Sequence, residues 1–79
     1  MAPKRITDED VLNSIAELGG DGYCLVADVL PSLAKLSHAD RRRALHRAVA
    51  RGLVIERRGP EGRMHVAIAS EGWRRLRAA

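Results

Sequence analysis

The sequence has no phenylalanine, one tryptophan, one tyrosine and one cysteine among its 79 residues. A lone Cys24 cannot close an intrachain disulfide, so a disulfide scaffold is excluded and a reducing cytoplasm is expected. With only Tyr23 and Trp73 as aromatics, the chain lacks the stacking platforms on which single-strand and RNA binders rely. No apolar run approaches the ~18–20 residues of a membrane span. The opening Met1–Asp10 has no apolar stretch behind Lys4 and Arg5, so no secretory leader is expected. Lysine is absent after residue 37, and there are no internal repeats or low-complexity segments.

Motifs for chemistry are equally scarce. His38 and His46 lie on one predicted helix, about 12 Å apart along its axis, too far to share a metal ion with bonds of ~2 Å. His65 and Cys24 belong to other elements, so no metal site is expected. Ser37 and Ser70 read as helix caps rather than nucleophiles. Asp8, Glu9 and Asp10 stand where a helix N-terminus welcomes acids. Gly19-Gly20-Asp21-Gly22 is followed by no Gly-Lys-Ser/Thr, and reads as a helix stop rather than a phosphate loop. Neither an enzyme nor a bound cofactor is expected.

What is present is a small globular composition with strongly segregated charge. Apolar residues make up 46% and charged residues 30% of the chain, enough for one compact core. Residues 1–37 carry three basic and six acidic side chains, whereas residues 38–79 carry eleven arginines against four acids. A GC-rich genome accounts for arginine in place of lysine but not for this separation of sign. The C-terminal half should attract polyanions, and guanidinium forks suit phosphates and base edges.

Residues 1–6 read as a basic, flexible tail and residues 7–79 as a single domain. Thr7 caps a first helix over about residues 8–18, with Val11, Leu12, Ile15 and Leu18 at helical spacing. A short extended piece at Tyr23-Cys24-Leu25 precedes a second helix, Val26 to Lys35, in which Pro31 should produce a kink or a break. Ser37 caps a third helix over 38–51. On a helical wheel Leu45, Ala48 and Val49 face the core, Arg43, His46, Arg47 and Ala50 point outward, and Arg42 sits on the shoulder. Arg41 must snorkel past the core edge. After Gly52 the period changes from 3.6 to 2, and residues 53–69 read as a hairpin turning at Gly59-Pro60-Glu61-Gly62. A short last helix, capped by Ser70, carries Trp73 and Leu76 on one face.

Three helices, a two-stranded hairpin and a short C-terminal helix make a mainly α chain with a β wing (α+β), the order of a winged helix-turn-helix domain. The passage Arg43–Arg58 resembles the end of the recognition helix, the Arg-Gly-Leu corner and the first wing strand of MarR- and PadR-type bacterial regulators. Ala69-Ser70-Glu71-Gly72-Trp73 is similar to the Leu-Thr-x-x-Gly passage that opens their next helix. The chain departs from that pattern at Pro31, and these 79 residues hold no counterpart of the long dimerisation helices. The resemblance implies a cytoplasmic, nucleoid-associated regulator of bacterial, phage or mobile-element type that binds double-stranded DNA. The third helix would enter the major groove and the hairpin would meet backbone or minor groove. Arg43, His46 and Arg47 are then candidates for base edges and Arg42 for phosphate. Arg57, Arg58 and Arg63 flank the wing turn, where phosphate or a narrow minor groove would lie. Trp73 and Leu76 are expected to pack on the first helix; a homodimer or other partner contact through them is the alternative. A winged-helix adaptor that binds protein instead of DNA is the competing function.

Overall fold

The computed structural model describes residues 5–33 and 37–78. Among them, four α-helices and a three-stranded antiparallel sheet share one core. Helix α1 spans Asp8–Gly19 and opens with a capping box. The Asp10 amide donates to Thr7 Oγ1 at 3.1 Å, and the Thr7 amide donates back to Asp10 Oδ2 at 2.9 Å. Strand β1 is Cys24–Leu25 and helix α2 is Val26–Ser32. Helix α3, His38–Ala50, starts at Ser37, whose Oγ accepts the Asp40 amide at 3.2 Å.

The end of α3 is closed by a Schellman arrangement. Leu53 N–H donates to the Ala48 carbonyl and Gly52 N–H to the Val49 carbonyl, both at 3.0 Å. This turn requires a left-handed residue after the cap, and Gly52 supplies it with φ +74°. The chain then enters strand β2, Val54–Arg58, turns at Pro60–Gly62 and returns as β3, Met64–Ile68. Helix α4, Ser70–Ala78, completes the fold. Its Gly72 is pressed against the corner after α3: an added Cβ would overlap the Leu53 carbonyl oxygen and lie 2.7 Å from Ile68 Cγ2.

The core is aliphatic, as a chain without phenylalanine demands. Val11, Leu12 and Ile15 of α1 pack with Val29 of α2, Ala44, Leu45 and Ala48 of α3, and Val54, Val66 and Ile68 of the sheet. Trp73 and Leu76 lie half-buried against this cluster, as expected of a docked last helix. No helix among the described residues is long and apolar enough to cross a membrane.

Several local expectations are corrected. The sheet has three strands rather than two, because β1 pairs with the free edge of β3, setting Cys24 opposite Val66 and Leu25 opposite His65. Helix α2 stops at Ser32 instead of reaching Lys35, with Pro31 in its last turn and Leu33 extended at ψ 166°. Terminal placement removes the need for a mid-helix kink; residues 34–36 lie outside the described residues. The expected tail 1–6 is cut short, since Ile6 is buried in the core; Lys4 and the residues before it lie outside the described residues. Helix α3 ends at Ala50 with Arg51 as its C-cap. Ser70 is the first residue of α4 and Ala69 occupies the cap position, its carbonyl accepting from Trp73 N–H at 3.0 Å.

Candidate functional site

Helix α3 presents two flanks of different character. Arg42 and His46 are exposed on the flank that turns toward the hairpin, and with Glu56 and Met64 of the sheet they line a depression of about 340 Å³. Val26, Leu30 and Leu45 form its apolar wall. Met64 also lines a neighbouring groove of about 650 Å³, in which Arg41 of α3 and Arg63 of the hairpin turn border Leu25, Val26, Leu30 and Pro31. The second helix, the third helix and the hairpin therefore enclose one continuous surface with an apolar wall, along which arginines alternate with the acids Asp28 and Glu56.

Strand alternation sorts the hairpin arginines. Arg58 is opposite Met64 and Arg57 is opposite His65, so the two arginines project to opposite faces of the sheet. Arg58 shares the face of Met64 and Glu56, the one turned to the depression, and donates to the Gly62 carbonyl at 3.3 Å. Arg57 lies on the other face, with its guanidinium 5.7 Å from the centre of the Tyr23 ring, a cation–π distance. Glu61 holds the turn with φ +64°, a left-handed conformation that glycine adopts more readily. Arg42 and His46 thus share a depression with Met64, Arg63 borders the adjoining groove, and Arg58 lies on the sheet face of Met64, whereas Arg57 lies on the opposite face.

The other flank of α3 is an arginine cluster built on one buried carboxylate. The Asp8 side chain is 3% exposed and meets Arg47, Arg51 and Arg75. Arg47 Nε donates to Asp8 Oδ1 at 3.3 Å, and its Nη2 donates to the Ile6 carbonyl at 2.6 Å. Arg51 Nη1 donates to Asp8 Oδ2, and Arg75 Nη2 lies 3.8 Å from the same oxygen. Arg75 Nε also donates to Glu9 at 3.0 Å. Burial pushes the Asp8 carboxyl up, but hydrogen bonds and charge from Arg51 and Arg47 outweigh it and hold the pKa below its ordinary value.

This corrects the expected role of Arg47. The helical wheel directs it outward, yet the N-terminal segment and α1 fold across that flank, and the side chain is only 24% exposed. Its donors are committed to Asp8 and Ile6. Arg43 remains 76% exposed, 3.5 Å from Asp40 of the preceding turn, and lines a depression with Arg5 rather than with the hairpin. Sequence reasoning passed over Met64 as a groove residue and Arg5, Arg51 and Arg75 as a cluster. The spacing of Arg43, Arg47 and Arg51 at i, i+4, i+8 was a visible sign of one arginine flank; the docking of α1 beside it was not.

Burial, and secondarily the charge of Asp28, push the Cys24 thiol up, away from nucleophilic reactivity. Among the described residues no group of three metal-ligating side chains comes together. No family model matches the chain, and no curated protein or solved structure shows significant similarity to it.

Proposed function

We propose that the chain is a double-stranded DNA-binding protein of winged helix-turn-helix type, a small transcriptional regulator in which α3 enters the major groove and the β2–β3 hairpin is the wing. The observation that carries this reading is the common surface on which Arg42 and His46 of α3 meet the hairpin that bears Arg58 and Arg63. A helix flank joined to a basic hairpin can address base edges and backbone together. Arg42 and His46, beside the hairpin, are assigned to base edges, and Arg43 lies on the other flank with Arg5. Arg58 and Arg63 are assigned to phosphate. Arg47 is left out, because its guanidinium already serves the fold.

The test is affinity for a random duplex of about 20–30 bp over a series of salt concentrations. A module touching about five phosphates gives a slope of log K against log salt near −4 to −5. Arg63→Ala should make that slope shallower by about 1, and Arg42→Ala should cost about 1–3 kcal/mol if it reads a base. Absence of duplex binding at low salt overturns the reading. The apolar wall formed by Leu25, Val26, Leu30 and Pro31 favours a second reading, a docking module for another protein. Under that reading, salt and Arg42→Ala leave duplex affinity unaffected because there is none.

A further inference from the structure

The geometry points to a second phosphate-binding strip, formed by Arg5, Arg43, Arg51 and Arg75 on the flank of α3 away from the hairpin, which holds the DNA strand across the major groove from the wing. The inference rests on the DNA-binding reading and extends it to residues outside the α3–hairpin surface.

Two adjoining depressions mark the strip. One is lined by Arg5, Asp40, Arg43 and Arg47; the other by Arg5, Asp8, Glu9, Arg47, Arg51 and Arg75. Arg5 and Arg47 border both, so the arginines form an unbroken series from α3 across the N-terminal segment to α4. Asp40 and Glu9 offset part of this charge at the surface, and Asp8 does so from inside. Its carboxylate is buried, whereas the side chains of Arg51 and Arg75 are 53% and 48% exposed. A guanidinium carries five N–H donors in a planar fork; Arg51 gives Nη1 to Asp8, and Arg75 gives Nε to Glu9 with Nη2 near Asp8, so each keeps donors for a second anion. Asp8 and Glu9 thereby hold the arginines in place, and a ligand has less side-chain freedom to freeze.

Dimensions suit a DNA strand. Arg43 and Arg51 are eight residues apart, about 12 Å along the helix axis, and successive phosphates of one strand advance about 3.4 Å along the duplex. The strip is therefore long enough to reach more than one phosphate of a strand. A helix with its side chains is about 10–12 Å across and the major groove about 12 Å wide. A helix seated there has one strand beside each flank. The wing flank meets one strand, and the Arg5–Arg75 strip faces the other.

The experiment compares the full chain with an Arg5→Gln/Arg75→Gln variant, which leaves Asp8 its partners Arg47 and Arg51. Losing two phosphate contacts should make the salt slope shallower by about 1.8, at about 0.9 per phosphate, with discrimination between duplex sequences unchanged. An unchanged slope in a variant with the parent's circular dichroism and melting point overturns the strip. If the variant does not fold, phosphate-ethylation interference with the unaltered chain decides. Interfering phosphates on both strands flanking one major groove support the inference; interference confined to the wing side sinks it. An unaltered chain that binds no duplex sinks the DNA-binding reading and the strip together, whereas binding without the second contact sinks the strip alone.

Discussion

Asp8 shows how one side chain can change the meaning of its neighbours. As a helix N-terminal acid it is favourable by the macrodipole alone, but burial makes it dependent on arginines from α3 and α4. Its depressed pKa fixes the sign of the pH effect. A carboxyl held below its unfolded value of about 3.8 contributes stability above that pH and loses it as pH falls through the folded pKa. Asp8→Asn should lower stability at neutral pH by about 1–3 kcal/mol, the cost of weakening a buried hydrogen-bonded group. It should also make the fall in melting temperature below about pH 4 shallower than in the parent. Thermal melts at a series of pH values measure both, and parallel curves for the two proteins would refute the assignment.

At the scale of elements, the corner between α3 and β2 holds the assembly in register. The Schellman turn at Gly52 aims Leu53 back at the core, and the Leu53 carbonyl then accepts Ala69 N–H at 3.0 Å, tying the start of α4 to the same point. Gly72 lets α4 lie against that carbonyl, Ile68 and Leu12. Gly72→Ala gains helix propensity on the exposed-helix scale, but overlap with a backbone oxygen dominates. We expect a net loss of about 1–3 kcal/mol or more, read as a lower urea midpoint; equal or higher stability would show that α4 can move away without cost. The sequence indicated this glycine only through its resemblance to a helix-opening passage; the reason for it is packing. The hairpin itself was legible, since Gly-Pro-Glu-Gly separates two β-rich runs. The third strand was not, because two residues carry too little pattern and their partner lies forty positions away.

The whole molecule has one core, with a Cα radius of gyration of 12.0 Å, and every described helix contributes to it or packs on it. No element has an interior of its own, so unfolding should be a single cooperative transition. Trp73, the sole tryptophan, reports on α4. Its fluorescence and the far-UV circular dichroism should give the same urea midpoint; an earlier fluorescence midpoint would mean that α4 detaches alone. The charge polarity of the chain also takes a particular form at this scale. On one flank of α3, Arg47, Arg51 and Arg75 meet Asp8 and Glu9 of the N-terminal half, and on the other Arg41 and Arg63 share a groove with Asp28.

Leu18, expected on the apolar stripe of the first helix, is exposed. By itself the sequence determined the order of elements, the helix starts at Thr7 and Ser37, the hairpin turn, the core positions Val11, Leu12, Ile15, Leu45 and Ala48, and the arginine-rich character of the second half. Each of these is local: a cap, a period, a glycine or a composition acts within a few residues of itself. Only the tertiary structure decided which arginines are offered to a partner. Arg47 and Arg43 differ by one helical turn and look alike on a wheel, but α1 docks over the first and leaves the second in solvent. Arg57 and Arg58 are adjacent in sequence and face opposite sides of the sheet. The difference between Arg43 and Arg47 depends on contacts between residues about forty positions apart, such as Asp8 with Arg47, which no short-range pattern encodes; the alternation of Arg57 and Arg58 is local, but which face of the sheet meets α3 is set by packing.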